Sequence, residues 1–116
     1  MSRNVSKLIH RRGRPVVLRR QVGGPTPFIT VVVKGLSRAF GVHELAGNIV
    51  QGDHQVIVLA ADLAAAGWPL PVLHGDTVVL DPEFDGAGGW QRGTGRSLTI
   101  QDPGPRAGLF WIQARG

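Results

Sequence analysis

The sequence lacks cysteine and tyrosine, and its three tryptophans and four phenylalanines make up only 6% of 116 residues. Without cysteine, the chain can form neither a disulfide framework nor a thiolate-ligated metal site. The scarcity of aromatic residues argues against barrels that bind single-stranded nucleic acid, because such barrels stack bases on exposed rings. No run of residues approaches the roughly 20 apolar positions that span a bilayer. We therefore expect a cytoplasmically made protein without membrane contact.

Acidic residues are absent until Glu44, the first of eight. Residues 1–20 carry seven Arg and Lys side chains, whereas residues 21–116 carry six basic and eight acidic ones, so the charge divides into +7 and −2. Residues 1–14 have little apolar content, which predicts a flexible basic arm with a short helical turn near residues 6–9. Such an arm favours an anionic partner: nucleic acid, a membrane surface or an acidic protein.

The 17 glycines and 8 prolines are frequent enough to indicate an all-β protein with many turns. Runs of β-branched and apolar residues between turn signals predict five to six strands. The predicted strands are residues 15–22, 28–40, 55–61, 77–80, 97–101 and 109–114. Residues 62–66 are predicted to form one helical turn. The pattern predicts a single small β-barrel or sandwich over residues 15–116.

Two segments do not follow a strand pattern. Residues 41–54 form a long polar loop between the second and third strands, with three glycines as candidate hinges. Residues 81–96, DPEFDGAGGWQRGTGR, follow the fourth strand and are called the Gly-rich segment below. The turn signals Gly52-Asp53 and Gly75-Asp76 each lead into an apolar strand. The function is therefore expected in loops and surfaces.

No motif in the chain fits catalysis or metal binding. His43-Glu44 begins like the zinc motif H-E-x-x-H, but Gly47 stands where the second histidine is needed. The Gly-rich segment begins like a calcium loop, but Arg92 occupies the twelfth position, which requires a bidentate Glu. A solvated acidic hairpin is the simpler interpretation. We therefore predict no enzyme activity, no metal and no cofactor.

Trp90 and Trp111 differ in their sequence context. Trp111 lies beside Phe110 in the last strand, which predicts a core position. Trp90 stands in the Gly-rich segment, where two interpretations remain open. It is either an exposed interface anchor or a lid folded over one end of the barrel.

The order of several short phrases resembles that of the small head-closure proteins of long-tailed bacteriophages and related gene transfer particles, also called stopper or head–tail joining proteins. The resemblance covers residues 12–116. It is carried by RPVVLRR at 14–20, VKG at 33–35, ELAGNIVQGD at 44–53, VIVLAA at 56–61, Pro69 and Pro71, GDTVV at 75–79 and WIQARG at 111–116.

The resemblance implies a small β-barrel that assembles as a ring between the portal–adaptor complex and the tail. A hexamer is the implied ring, with a dodecamer as the alternative. The ring would close the head after DNA packaging and provide the surface to which the tail terminator or tail tube protein attaches. The loop between the second and third strands would point into the channel and retain packaged DNA. The implied location is the virion head–tail junction, after synthesis in the bacterial cytoplasm.

Two groups of residues are predicted to be functional. The channel loop would use Gly41, His43, Glu44, Asn48, Gln51, Asp53 and His54. The ring or partner interface would use Arg11, Arg12, Arg14, Trp90 and Arg92. Members of the family often have a short Gly-Gly-aromatic turn after the fourth strand, so the longer Gly-rich segment departs from their pattern.

Two alternatives fit parts of the same sequence. A small basic β-barrel that binds nucleic acid would explain the basic arm, and its binding would weaken steeply with added salt. A tail-completion or terminator protein would come from the same region of the virion.

Overall fold

The computed structural model describes residues 2–24, 27–39 and 53–116. This part of the chain contains two short helices and seven strands. In order, they are α1 (Ser2–Arg12), β1 (Arg14–Gln21), β2 (Phe28–Ala39), β3 (His54–Leu59), α2 (Ala60–Ala65), β4 (Thr77–Leu80), β5 (Arg96–Asp102), β6 (Pro105–Arg106) and β7 (Leu109–Arg115). Strands account for 49% of the protein, which confirms the predicted all-β class.

Six antiparallel strands close into a barrel in the order β3-β2-β1-β4-β5-β7, because β7 pairs back onto β3. The six predicted strands correspond to these six. The two-residue strand β6 pairs with β7 alone, through Pro105 opposite Phe110 and Arg106 opposite Leu109. The sequence analysis did not predict β6, because residues 102–105 have the composition of a tight turn and a two-residue strand is too short to show a period-two pattern.

Alternating residues of the strands point into the barrel, as the period of a β-strand requires. On β1, Val16 and Leu18 join the interior cluster, while Val17 between them lies on the other face. Leu63 of α2 and Trp68 after it also pack into this cluster. Its other buried members are Val31, Val33, Val56, Val58, Val72, Val78, Leu80, Leu98, Ile100, Phe110, Ile112 and Ala114. Each large apolar side chain buried this way contributes about 1.5–3 kcal/mol relative to exposure.

Gly35 marks the point at which β2 passes from one partner strand to the next. It pairs with Arg14 of β1 and also with Val58 of β3. A Cβ at this position would lie 3.1 Å from Val58 Cγ1 and 3.3 Å from Val16 Cγ2. A side chain at this position would be tight between the two valines, so glycine favours the close approach of the three strands.

Residues 2–12 form helix α1, which differs from the predicted flexible arm with a turn over residues 6–9. Ile9 is 0% exposed and packs with Leu59 and Leu109 on the outside of the barrel, next to Val5. The helix ends where Gly13 N donates to the Ile9 carbonyl. The prediction missed this packing because one buried isoleucine suffices once strands supply an apolar surface for it.

Trp111 also differs from its predicted core position. It is half-buried and packs with the cluster beneath α1, on the outer face of β7. Phe110 is the residue that points into the barrel. The sequence placed two aromatic residues side by side, and the strand period sends only one of them inward.

Candidate interaction surfaces

The long loop between β2 and β3 starts and ends at one place on the barrel. Ala39, the last residue of β2, pairs with His54, the first residue of β3. Both ends of residues 40–53 are therefore joined to the rigid sheet. Five predicted channel residues lie outside the described residues: Gly41, His43, Glu44, Asn48 and Gln51.

Asp53 anchors the end of this loop. Its side chain is 1% exposed and accepts hydrogen bonds from Arg115 Nε at 2.9 Å and Arg115 Nη2 at 3.1 Å. Gln113 Nε2 donates to the same carboxylate at 2.8 Å. The hydrogen bond to Asp53, helped by charge attraction and opposed by burial, raises the pKa of Arg115. Asp53 was predicted to be a channel residue, and its carboxylate is instead buried because it holds the loop to β7.

His54 lies beside this anchor and is half-buried. Its Nε2 is 3.5 Å from Arg96 Nη1 on β5. Of the predicted channel residues, His54 and Asp53 are those that the structure describes, and they lie at the base of the loop.

The second Gly-Asp turn, Gly75-Asp76, also contains an aspartate that pairs with an arginine. Asp76 is 5% exposed, and its carboxylate accepts from Arg20 Nε at 2.9 Å and from Arg20 Nη2 at 2.8 Å. Arg20 also donates to the carbonyls of Pro69 and Pro71, and the Leu73 amide donates to Asp76. The hydrogen bond to Asp76 raises the pKa of Arg20 against the effect of burial. This arginine joins β1 to the connector before β4, so its role is structural.

The predicted basic interface residues Arg11, Arg12 and Arg14 are exposed. Arg11 and Arg12 end helix α1, and Arg14 begins β1. Arg12 and Arg14 line a shallow groove together with Asp81 of the Gly-rich segment. The structure thus brings two of the predicted basic residues to one surface, whereas Trp90 and Arg92 line a different groove.

The Gly-rich segment folds into a hairpin in which Phe84 and Trp90 form an isolated antiparallel bridge. Asp85 shapes its turn, because Asp85 Oδ1 accepts from the amides of Ala87 and Gly89, both at 2.9 Å. The carboxylate that resembled a calcium ligand is therefore engaged with backbone N–H groups.

The Gly-rich segment lies against the outer face of the barrel. A Cβ at Gly95 would come within 2.7 Å of Val79 Cγ1, so the chain touches the outer face of β4 directly. Val79 and Val17 are both 0% exposed although they face away from the interior cluster. This face needs a cover because two adjacent valines would otherwise meet water.

Trp90 lies against this outer face, with Arg19 of β1 beside it. Arg19 Cζ is 4.1 Å from the centroid of the Phe28 ring and 5.1 Å from that of Trp90. Arg92 borders the same space, a groove of about 450 Å³ that we call the arginine groove. Its walls are completed by Thr30 and Val32. Trp90 and Arg92, predicted as interface residues, therefore lie in one groove with a second cation, Arg19.

Sequence reasoning missed Arg19 and Phe28. Arg19 was predicted to lie in the first strand, which the structure confirms, but it was not predicted to be a site residue. Arg19 pairs with Thr30 in the β1–β2 register, and both side chains lie on the face opposite Leu18. A signal for Arg19 was available in the sequence. The period of a strand puts Val16, Leu18 and Arg20 on one face and Val17 and Arg19 on the other, which would have placed Arg19 on the outer face.

Within residues 2–24, 27–39 and 53–116, no group of three or more His, Asp or Glu side chains could hold a metal ion. The same part of the chain has no helix long and apolar enough to cross a membrane.

No protein-family model, curated protein or solved structure matches this chain.

Proposed function

We propose that this protein is a neck component of a tailed virus or gene transfer particle, forming a ring that closes the head after DNA packaging and receives the tail. The observation that carries the proposal is the closed barrel, in which the two strands joined by residues 40–53 pair at their ends, Ala39 with His54. A segment that blocks a channel needs such a rigid frame, since force on it must not unfold its support. The Asp53–Arg115 pair strengthens that frame at the loop's end.

Ring formation requires that one patch of a subunit meet a different patch of its neighbour. The chain offers surfaces of opposite charge for such contacts. Arg11 and Arg12 are exposed on α1, and the exposed Glu83 lies on the Gly-rich segment. In this proposal, the basic end of α1 contacts an acidic surface of the next subunit or of the portal–adaptor complex. The tail terminator or tail tube protein would bind the opposite side of the ring, and packaged DNA would contact residues 40–53.

Electron cryomicroscopy of particles with and without this protein would test the proposal. We expect a ring of small barrels below the portal, and tailless heads that lose DNA when the protein is absent. Tailed, DNA-filled particles in its absence would contradict the neck role and favour salt-dependent nucleic-acid binding as the next hypothesis.

A second experiment isolates the basic surface. Deleting residues 1–12 would also remove Ile9 and expose the apolar cluster beneath α1. The double variant Arg11→Gln/Arg12→Gln removes charge and keeps that packing, and Arg106→Gln, which removes a charge from β6 rather than from α1, is the control. We expect the double variant to reduce ring assembly on portal–adaptor complexes. Assembly equal to that of Arg106→Gln would exclude this surface from the interface.

A further inference from the structure

Two arginines line the arginine groove, and none of the described residues that line it is acidic. Among the described residues, neither Arg19 nor Arg92 takes part in an ion pair, whereas Arg20 and Arg115 each hold a buried carboxylate. Arg19 Nε has one long hydrogen bond, 3.4 Å to Thr30 Oγ1. Burial and, secondarily, repulsion from Arg92 lower the pKa of Arg19. An anion in this groove would relieve both effects, because it replaces lost hydration and separates two like charges.

The groove holds Arg19 ready for such an anion. Its guanidinium lies over both the Phe28 and the Trp90 ring, and these contacts restrict the side chain, so it loses little further freedom when it binds. A guanidinium held in this way presents its N–H edge, which matches two oxygens of a carboxylate or phosphate.

The remaining walls favour a protein segment over a nucleic acid. Val32 is 41% exposed on the strand face, and Phe28 and Pro27 add apolar surface. Arg19 already lies against the Phe28 and Trp90 rings, which leaves less ring surface on which bases could stack. Two positive charges beside aliphatic and proline carbon fit a carboxylate that neighbours an apolar side chain.

We infer that the arginine groove is a docking site for an acidic, apolar segment of a partner protein, with Arg19 and Arg92 binding its carboxylates and Val32 contacting its apolar side chain. The identity of that partner as an adjoining neck protein rests on the proposed function. The chemistry of the groove does not, so the peptide experiment below can fail while the particle experiment succeeds, and the reverse.

Titration with a short peptide tests the inference. The probe is Ac-Leu-Asp-Leu-Glu-Leu-NH₂, compared with its neutral analogue Ac-Leu-Asn-Leu-Gln-Leu-NH₂ and with the oligonucleotide dT12. The readout is the ¹H–¹⁵N signal of the Trp90 indole in the full-length protein, with those of Trp68 and Trp111 as internal references. We expect the acidic peptide to shift the Trp90 signal saturably and the neutral peptide to leave it in place.

Single variants assign the contacts. Arg19→Gln and Arg92→Gln should each weaken acidic-peptide binding by about five- to tenfold, and Arg19→Lys should be intermediate because it keeps charge without the planar fork. Arg106→Gln is the matched control, since Arg106 Cζ lies 5.3 Å from the Trp111 ring centroid, outside the groove. An unchanged Trp68 signal will show that each variant is folded, because the cation over Trp68 is Arg20, which no variant alters.

Three results would overturn the inference. They are equal shifts from the acidic and neutral peptides, equal weakening by Arg106→Gln, and no Trp90 shift at millimolar peptide. A Trp90 shift with dT12 that exceeds the shift with acidic peptide would instead assign the groove to nucleic acid.

Discussion

Two outer faces of the barrel carry covers of different kinds. Helix α1 lies across β2 and β3 and buries Ile9 completely against Leu59 and Leu109. The Gly-rich segment lies across β1 and β4, where Gly95 approaches Val79, but it leaves a groove of about 450 Å³ beside Trp90. The first cover buries one isoleucine completely, although a groove of about 350 Å³ remains beside Trp111, and the second leaves two arginines and two aromatic rings lining a larger groove.

The charges on the two faces follow the same division. Near α1, Lys34 Nζ donates to the His10 carbonyl at 3.1 Å, and His10 Nε2 lies 3.2 Å from Asp62. Beside the Gly-rich segment, Arg19 and Arg92 oppose each other without a described acid. A structural cover satisfies its polar groups internally, whereas a binding surface leaves some for its ligand. The arginine groove is therefore a candidate binding surface in addition to the exposed Arg11 and Arg12 of α1.

The largest loss of stability is expected at the face that α1 covers. Ile9→Ala should lower the free energy of unfolding by about 2–4 kcal/mol, because it removes a fully buried side chain. Leu8→Ala is the control, since Leu8 is 42% exposed, and should change stability by less than about 0.5 kcal/mol. Urea denaturation measures both. Similar losses for the two variants would mean that α1 does not dock through Ile9.

The next largest loss of stability is expected from a substitution at the end of the Gly-rich segment. Gly95→Ala combines a positive φ of 81° with a Cβ placed 2.6 Å from the Leu80 carbonyl oxygen, and we expect a loss of about 2–3 kcal/mol. Gly93→Ala has a φ of 88° and open space around the Cβ, so it should cost only about 1 kcal/mol. Thermal or urea unfolding of the pair isolates the close approach. Equal losses would indicate that the segment does not contact β4.

Trp90→Ala should lower stability less than Ile9→Ala or Gly95→Ala, but it should clearly weaken the binding of the acidic peptide. Trp90 is half-buried and its Nε1 has no hydrogen-bond partner among the described residues, so we expect a loss of about 1–2 kcal/mol. Without this ring, Arg19 loses one of its two aromatic contacts, and acidic-peptide binding measured by calorimetry should weaken. Trp90→Phe keeps a ring and should retain most of the binding. If both variants bind as the parent protein does, the indole does not position Arg19.

The smallest predicted changes in the free energy of unfolding come from removing one charge on each face, and they should have opposite signs. Arg92→Gln relieves repulsion with Arg19 and should raise the free energy of unfolding by up to about 0.5 kcal/mol, less at high salt. Lys34→Gln removes a donor from the end of α1 and should lower it by about 0.5–1 kcal/mol. Urea denaturation at low and high salt measures both. A loss of stability in Arg92→Gln would show that Arg92 has a stabilising partner.

Much of the candidate site could not be predicted from sequence. Trp90 and Arg92 were identified, because a tryptophan among glycines is unusual, but Arg19 and Phe28 were not. Arg19 meets Trp90 across 71 positions, and only the fold of the Gly-rich segment brings them together. Asp53 was assigned to the channel loop because neither its burial nor its partner Arg115 can be read from a Gly-Asp turn.

The sequence by itself determined the β class and the six strands, because runs of β-branched and apolar residues bounded by turn residues are local properties. Thr77–Leu80 and the start of β7 at Leu109 follow directly from such runs. Tertiary structure alone decided which outer faces are covered and by what. Ile9 becomes a buried residue, and Arg19 part of a groove, only after the barrel closes, because each depends on surfaces that distant strands build together.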